Sequence, residues 1–285
     1  MDIDNPPTQA DLEEEQHHQE YLDKRKILEY KHYMYPEVNK KTKDFFTRWG
    51  SAKKHPTTAD LENGGRIEEN VDDPDFDINK IMDNTRLPYV QVNIPVPWRD
   101  IHLEARHLLY TDCFTPHRSD GSSGWLSLCI HGMSSVLANC AEDYNLPDEA
   151  EEELSDWTDI AKFCPITVEW MKDSMLYNEF SRVRFMCVLP GGWIEPHADT
   201  DKVPGLGATN VAINNPEGCE LMMEQFGILP YTPGSVFKIN TGYNHAVINN
   251  SNEPRFHMIF DGAPDDTFKR KVNVQYNWMF DNIKK

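Results

Sequence analysis

The chain has 285 residues, of which 39% are hydrophobic and 26% charged, and this composition is typical of a folded globular protein rather than a disordered or fibrous one. Its 28 Lys and Arg residues against 47 Asp and Glu residues leave a formal net charge of -19. Because this charge repels phosphate groups, we expect neither generic nucleic-acid binding nor attachment to an anionic membrane.

Cysteine usage and the first residues indicate a cellular environment. Six cysteines are spread along the chain without a CxxC pair, a pattern that suits buried, inert thiols in a reducing compartment. The first residues are acidic and lack the apolar stretch of a secretory signal, and no apolar run is long enough to span a bilayer. We therefore expect a soluble, cytoplasmic protein.

The chain divides by composition into a polar front and an aromatic-rich remainder. Residues 1–80 are acidic and charge-dense, and we predict that they form a partly helical N-terminal arm. Within it, 11–34 has a helix-forming composition, whereas 53–77 carries Pro, Gly-Gly and acidic clusters typical of a loop. An arm that covers the main domain and a partly disordered leader are both compatible with this composition. Residues 81–285 are predicted to form the main domain.

Short β-rich segments, separated by Gly, Pro and Asn turn signals, follow in the main domain. They are YVQVNI (89–94), WLSLCI (125–130), RVRFMCVL (182–189), NVAIN (210–214), CELMME (219–224), SVFKIN (235–240), HAVINN (245–250) and RFHMIF (255–260). Most of them lie between 182 and 260, at the close spacing of an antiparallel sandwich or barrel. A helical stretch is predicted at 147–178. We therefore predict a mainly β jelly roll with helices packed outside it.

The segment PGGWIEPHADTDK, residues 190–202, carries the most informative motif. In extended backbone, residues i and i+2 point to the same side, so His197 and Asp199 are candidates to present an imidazole and a carboxylate to one metal ion. His245 opens a later strand and is the candidate third ligand. Two His and one carboxylate form the donor set of non-haem Fe(II) oxygenases, which keep open positions on the metal. The triplet alone also fits a loop histidine and a turn-forming aspartate; its position between strands favours the metal.

Arg255 opens the strand that follows His245. A guanidinium group binds a carboxylate through two parallel hydrogen bonds, which suits the distal carboxylate of the co-substrate 2-oxoglutarate inside a dry barrel. The alternative is a surface ion pair, worth at most about 1 kcal/mol. Together with the three candidate ligands, we interpret Arg255 as a co-substrate residue.

The stretch SRVRFMCVLPGGWIEPHADTD, followed by NNPEGCELMMEQFGILPYTPGSVFKINTGYNHAVINNSNEPRF, resembles the aspartyl/asparaginyl β-hydroxylase family. The matching elements are LPGGWIEPH, the EGC turn at 217–219, the PGSVF strand, the His245 strand and Arg255, and the similarity extends loosely back to GWLSLCIHG. The resemblance implies a double-stranded β-helix that uses Fe(II), 2-oxoglutarate and O₂. It also implies hydroxylation of an unactivated C–H bond of an amino acid or a peptidyl side chain, with succinate and CO₂ as co-products.

Two departures from the family pattern bear on the substrate. Animal members have Gly where this chain has Asp199, so the complete triad is closer to the proline hydroxylases of the same superfamily. Animal members also carry an Arg-rich strand soon after the first ligand, whereas this chain has DKVPGLGATNVAIN there. We therefore expect a rebuilt substrate pocket, for a small-molecule amino acid or a peptide or protein substrate.

Four further residues are candidates for the site. His257 lies two positions after Arg255 and is predicted to share its face, either in the co-substrate pocket or as a core histidine. The resemblance implies that Arg184 is a second anion partner of the co-substrate, with an ion pair as the alternative. Trp193 is a candidate wall of the substrate pocket, although core packing is the commoner role of Trp. His131 aligns loosely with a polar position near the family's substrate site.

Two other functions stay open at this level. The first is a non-catalytic metal-binding jelly-roll module, which the combination of the triad with Arg255 argues against. The second is a cupin-type metalloenzyme that does not use 2-oxoglutarate. Cupins usually add further His ligands and a Glu, which are not evident between 197 and 245.

Overall fold

The structure is a computed structural model that describes residues 38–51, 88–117, 122–138, 141–147, 149–173, 177–199 and 208–282. Within these ranges the helices are α1 Lys40–Trp49, α2 Trp98–Tyr110, α3 Glu149–Leu154, α4 Pro165–Asp173 and α5 Asp266–Asn282. The strands are β1 Tyr89–Val92, β2 Thr115–Pro116, β3 Ser123–Gly132, β4 Asp156–Trp157, β5 Tyr177–His197, β6 Thr209–Ala212, β7 Cys219–Met223, β8 Gly227–Ile228, β9 Val236–Ile239, β10 His245–Asn249 and β11 Arg255–Pro264.

The long strand β5 organises the sheet. Its first half pairs with β11, while its last residues pair with β10, and all of these pairings are antiparallel. The strand order is β1-β9-β6-β11-β5-β10-β7-β8, with β3 also pairing β5. Between the two halves, Gly191 has a φ of 76°, a conformation that glycine adopts readily. We call the first half of β5 with β11, β6, β9 and β1 the first wing. The last part of β5 with β10, β7 and β8 is the second wing.

The two wings face each other across a shared apolar cluster, which we call the barrel interior. It contains Met186, Val188, Ala212 and Phe237 from the first wing and Ile194, Leu221, Met223 and Val247 from the second. Because residues of both wings lie in one cluster, the sheet is curled with its inner faces opposed. This arrangement confirms the predicted jelly roll.

The outer face of the first wing is covered by helices. Alternate residues of β5 and β11, such as Phe185 and Phe260, belong to a second apolar cluster with Ile101 of α2 and Phe268 of α5. Strand alternation explains the division, because neighbouring residues of one strand point to opposite faces. The first wing is therefore buried on both faces, and it provides a fixed wall for the barrel interior.

The predicted strands agree closely with the structure, and the differences lie in the segments that connect the strands. The predicted helical stretch 147–178 is divided into α3, a one-turn 3₁₀ segment at Ala161–Phe163 and α4, with β4 inserted after α3. The PGG sequence, interpreted as a turn, instead lies within β5. Helices α1, α2 and α5 were not predicted.

The predicted arm is represented among the described residues by α1. This helix begins at an Asn39 cap, whose side chain accepts a hydrogen bond from the Thr42 amide, and it contacts β5 and β7. The helix predicted at 11–34 and the loop at 53–77 lie outside the described residues. The boundary at residue 80 stays a prediction. Within the described ranges, no helix combines the length and apolar character that crossing a membrane requires.

Candidate functional site

His197 and His245 face each other where β5 ends and β10 begins. They are direct cross-strand partners, and their ring centroids lie 4.4 Å apart. His245 shares its side of β10 with Val247, a residue of the barrel interior. Both imidazoles therefore lie at the end of the second wing, on its inner side.

A bulge in β5 turns His197 toward this side. Val247 pairs with Ile194 and His245 pairs with His197, so two steps along β10 correspond to three along β5. One extra residue in a strand changes which side chains share a face. His197 therefore lies on the same side as Ile194. Strict alternation would have grouped it with Trp193, which instead pairs with Ile248 and lies on the opposite side.

The backbone orients both rings. Nδ1 of His197 donates a hydrogen bond to the Glu195 carbonyl oxygen at 2.8 Å, and Nδ1 of His245 donates to the Tyr243 carbonyl oxygen at 3.0 Å. Since a carbonyl oxygen only accepts, each Nδ1 carries the proton, and each Nε2 presents its lone pair. This orientation by an outer hydrogen bond is typical of metal-ligating histidines.

Asp199 completes the group. Its Oδ1 lies 3.5 Å from Nε2 of His197, and its amide donates to the Thr241 carbonyl oxygen at 3.0 Å. One potential ligand atom from each of His197, Asp199 and His245 lies within 4.8 Å of the others. Asp199 is the most exposed of the three, with 47% of its side chain accessible, so the group opens toward solvent on the aspartate side.

This donor set fits a divalent metal ion. Burial, followed by the charge of His197, holds the pKa of His245 below its usual value, so this imidazole stays neutral and keeps its lone pair. Two imidazole nitrogens and one carboxylate suit Fe(II), and three protein ligands leave positions for other molecules. The residues therefore fit the iron ion that the sequence motif predicts.

Arg255 lies inside the protein without a carboxylate partner among the described residues. It is only 4% exposed, and its Nε has no hydrogen-bond partner in the described ranges. Its guanidinium carbon lies 5.7 Å from the centre of the Tyr231 ring, and Nη2 lies 3.4 Å from Nδ1 of His257. A buried charge is costly unless it is paired, so this group is suited to receive an anion.

Two neighbours of Arg255 also present unused polar atoms. The Tyr231 hydroxyl and Nε2 of His257 are buried without a hydrogen-bond partner in the described part of the chain. Nδ1 of His257 contacts Oδ1 of Asn210, so His257 shares a face with Arg255, as alternation predicts. Tyr231 was not among the site residues predicted from sequence. The only local signal was an aromatic residue in the YTPGS turn, which is an ordinary core position.

Arg184 has protein partners on the same side of β5 as Met186 and Val188. It donates to the Ala138 carbonyl oxygen at 2.9 Å and to Oδ2 of Asp261 at 3.2 Å. The ion pair considered as its alternative role is therefore present. Its assignment to the co-substrate stays a prediction.

The two candidate substrate residues lie away from the candidate ligands. Trp193 is 3% exposed on the far side of β5, which agrees with the core packing considered for it. The His131 ring lies 5.0 Å from Trp157 and 6.2 Å from Phe180, both of which pack against the helix-covered cluster. Substrate contact by either residue stays a prediction.

Trp125 is the aromatic residue next to the ligands that sequence reasoning missed. It lies in the barrel interior, and its ring centroid is 6.0 Å from that of His197. On its other side it packs edge-on against His117 at 4.4 Å, and His117 Nδ1 contacts the Ser127 hydroxyl at 3.0 Å. In sequence, Trp125 was only one apolar residue of a predicted strand.

The fold and the site define a jelly-roll protein with a His-Asp-His cluster at the end of one wing. The family model for aspartyl/asparaginyl β-hydroxylase matches residues 96–264, which include strands β2 to β11, the cluster and Arg255. The chain belongs to the aspartyl/asparaginyl β-hydroxylase family. A search of curated proteins finds no significant match to the chain.

Solved structures show a more distant similarity. A prolyl-4-hydroxylase from Pseudomonas putida is 14% identical, with a TM-score of 0.36 over 61% of this chain and 92% of its own. An oxidoreductase of the 2OG-Fe(II) oxygenase family from Burkholderia pseudomallei is 12% identical, with a TM-score of 0.34 over 63% of this chain and 87% of its own. At these values, the family assignment depends on the family model alone.

Family membership makes the chain an enzyme of the hydroxylase type. The family consists of Fe(II)- and 2-oxoglutarate-dependent oxygenases, so the cofactors are Fe(II), 2-oxoglutarate and O₂, and the His-Asp-His cluster fits the iron. This result favours the oxygenase over the non-catalytic module and over the cupin-type enzyme that does not use 2-oxoglutarate.

Proposed function

We propose that this protein hydroxylates an unactivated C–H bond of an amino acid or a peptidyl side chain, with Fe(II) held by His197, Asp199 and His245. Succinate and CO₂ are the co-products. One observation carries the proposal: three candidate ligand atoms lie within 4.8 Å of one another in a barrel that also holds a buried Arg255, which has no carboxylate partner among the described residues. A metal site and an anion site together match the two ends of iron-bound 2-oxoglutarate.

Arg255 binds the distal carboxylate of 2-oxoglutarate. The guanidinium supplies charge, and the unpartnered Tyr231 hydroxyl and His257 Nε2 lie around it. Burial, together with the adjacent Arg255 charge, lowers the pKa of His257 well below its usual value, so this ring is neutral and adds no competing charge. Burial also raises the pKa of Tyr231, so the phenol keeps its proton and is able to donate it in a hydrogen bond.

The protein's part in the reaction is binding, orientation and exclusion of water. Bound Fe(II) supplies the oxidation, in which 2-oxoglutarate and O₂ yield succinate and CO₂ while one oxygen atom enters a substrate C–H bond. The carbonyl groups of Glu195 and Tyr243 hold both Nε2 atoms toward the metal position. Trp125 and the apolar interior keep bulk water from the reacting groups.

The experiment is succinate release from 2-oxoglutarate with Fe(II) and ascorbate, without added substrate, because many such oxygenases turn over slowly when uncoupled. His197→Ala, Asp199→Ala and His245→Ala should each lower the rate by at least about 100-fold, since changes in the outer shell alone cost 10- to 100-fold. His107→Gln is the matched control, because His107 is exposed on α2.

Metal binding is measured separately, from the absorption of bound Co(II). The three ligand variants should lose the Co(II) spectrum, and the control should keep it. Full turnover in any ligand variant would refute the metal assignment. Absence of both turnover and 2-oxoglutarate binding in the unmodified protein would refute the proposed function itself.

A further inference from the structure

Helix α1 lies against the second wing, which carries both candidate histidine ligands. It contacts β5 and β7. Met222 alternates in β7 with Leu221 and Met223, which line the barrel interior, so its side chain points to the outer side of the wing. A Cβ added at Gly50, just after α1, would lie 3.5 Å from Cε of Met222. Helix α1 therefore covers the outer side of the second wing.

One face of α1 is packed, and the other is exposed. Thr42 is completely buried, and Phe45, Phe46 and Trp49 are half-buried. Residues three and four positions apart share one side of a helix, so this is the pattern of an amphipathic helix that is docked on one side. The match to the family model begins at residue 96, so α1 lies outside the part of the chain that matches the family.

An ion pair joins α1 to the bulge in β5. Nζ of Lys41 lies 2.8 Å from Oε1 of Glu195, and the side chain of Glu195 is only 16% exposed. Glu195 lies between Ile194 and His197, whose pairs with β10 are separated by the register shift. Because the ladder is disrupted at a bulge, regular pairing does not fix the backbone there, and other contacts have to hold it.

Glu195 is held at two points, and at a third it orients a candidate metal ligand. Its amide donates a hydrogen bond to the Ser122 hydroxyl at 3.0 Å, and its carboxylate binds Lys41. Its carbonyl oxygen accepts the hydrogen bond from Nδ1 of His197 at 2.8 Å, which directs Nε2 toward the metal position. The orientation of the His197 ring therefore depends on the contacts that hold Glu195.

We propose that Lys41 is a positioning residue for the metal site, and that it acts through Glu195 on the ring of His197. This inference rests on the proposed function, because the ligand that Lys41 positions belongs to the proposed iron site. Without the ion pair, the ring adopts more orientations, and ordering it reduces the affinity for the metal. The polar front of the chain, which contains α1, thereby contributes to an iron site whose ligands all lie in the main domain.

The test is the affinity for Co(II), measured by competition with a chelator. Lys41→Gln should weaken Co(II) binding roughly 2- to 5-fold, the range expected for the loss of an exposed ion pair. The direction is diagnostic, because removal of a positive charge by itself would strengthen the binding of a dication. Lys41→Arg keeps the ion pair and should bind Co(II) like the unmodified protein. Lys40→Gln, at the neighbouring exposed position of α1, is the control and should not weaken binding.

Charge reversal tests whether the two side chains act as a pair. Lys41→Glu should weaken Co(II) binding at least as much as Lys41→Gln, because repulsion from Glu195 replaces the attraction. The double variant Lys41→Glu, Glu195→Lys rebuilds the pair in the opposite direction and leaves the net charge of the chain unchanged. It should bind Co(II) within about 2-fold of the unmodified protein, as expected for two residues that are coupled.

The dependence of activity on iron is a second readout. In Lys41→Gln, half-maximal succinate release should require more Fe(II) by the same factor as the Co(II) affinity falls, while the rate at saturating Fe(II) is kept. An ion pair that only stabilises the fold would lower the temperature of unfolding and leave both metal measurements unchanged. Thermal unfolding of the same variants is therefore measured in parallel.

Two sets of results would overturn the inference. If Lys41→Gln and Lys41→Glu bind Co(II) as tightly as the unmodified protein, or if the reversed pair binds no more tightly than Lys41→Glu, Lys41 does not position His197. The proposed function then stands, provided that the unmodified protein binds Co(II) and releases succinate. If the unmodified protein binds no Co(II), or if His197→Ala keeps the Co(II) spectrum, the metal assignment fails, and this inference fails with it.

Discussion

At the scale of single residues, burial determines the charge of the groups inside the barrel. His257 is 2% exposed, and burial together with the neighbouring Arg255 lowers its pKa well below the usual 6.5. Arg255 keeps its charge in the same environment, because a guanidinium does not lose its proton in proteins. Because His257 is neutral, the positive charge of this pair lies on Arg255, where the co-substrate carboxylate is proposed to bind.

The pKa of His257 predicts how stability depends on pH. Below about pH 6.5, the unfolded chain binds a proton at this histidine and the folded protein does not, so the free energy of unfolding should decrease as pH falls. The loss is up to about 1.4 kcal/mol per pH unit until the lowered folded-state pKa is reached. His257→Gln should reduce this slope. Urea unfolding at pH 7.5, 6.5 and 5.5 in the presence of EDTA measures it.

A matched control separates this titration from the effects of other histidines. Burial also lowers the pKa values of His102, His131 and His245, so His257→Gln should flatten the pH dependence only in part. His107→Gln, which replaces an exposed histidine of α2, is the control. Parallel curves for His257→Gln and the unmodified protein would show that His257 titrates normally in the folded state.

At the scale of elements, the irregularities of β5 build the candidate metal site. Trp125 of β3 pairs with Val188 of β5, and Ser123 pairs with Trp193. Two steps along β3 therefore correspond to five along β5. This irregularity separates the two wings, and the later bulge turns His197 inward. Within the bulge, Glu195 forms an ion pair of 2.8 Å with Lys41 of α1, so the helix supports the residue whose carbonyl orients His197.

The bend in β5 should depend on glycine at 192. A Cβ there would lie 2.8 Å from the Ser123 carbonyl oxygen and 2.9 Å from that of Leu189, and both are backbone atoms that move only if the strands move. We expect Gly192→Ala to lower the free energy of unfolding by about 1–3 kcal/mol, as overpacking does. Urea denaturation gives this value from the midpoint and slope.

Gly242→Ala is the comparison for this substitution. In the described part of the chain, the only heavy atom within 4 Å of a Cβ added there is a side-chain oxygen, Oδ1 of Asn240, at 3.0 Å. Because a side chain adjusts more easily than paired strands, the cost should stay below about 1 kcal/mol. Equal destabilisation by the two substitutions would mean that the close approach at 192 does not constrain the bend.

At the scale of the whole molecule, the metal ion and 2-oxoglutarate are proposed to bind side chains of both wings. His197 and His245 lie at the end of the second wing, whereas Arg255 belongs to the first. A 2-oxoglutarate molecule that contacts both the metal and Arg255 therefore connects them. Any ligand that binds only the folded state stabilises it, so binding at each end should appear as a separate increment of stability.

This connection predicts a stepwise stabilisation. Co(II) at 100 times its dissociation constant should add about 2.7 kcal/mol to the free energy of unfolding, and 2-oxoglutarate should add a further increment. EDTA should remove both. Asp199→Ala should lose the metal increment, whereas Arg255→Gln should keep it and lose only that of 2-oxoglutarate. Thermal unfolding measures the shifts, and loss of both increments in Arg255→Gln would contradict separate roles for the two sites.

Local patterns predicted much of the fold. Segments such as RVRFMCVL and RFHMIF are strands in the structure, because alternation and bounding turn residues are properties of neighbouring positions. Helices α1, α2 and α5 escaped prediction, and the 147–178 stretch was assigned one helix instead of two. The division there depends on β4 pairing with β3, a contact distant in sequence.

The sequence by itself determined the composition of the site: the His-x-Asp motif, the later His245 and Arg255, and the family to which their order belongs. Only the tertiary structure decided toward which side of the sheet these side chains point and which residues they contact. The β5 bulge separates Trp193 from His197, and Asp261 pairs with Arg184 from another strand. It also brings Tyr231 beside Arg255. The reason is physical: strand periodicity is encoded locally, whereas register, bulges and ion pairs depend on which distant strands meet.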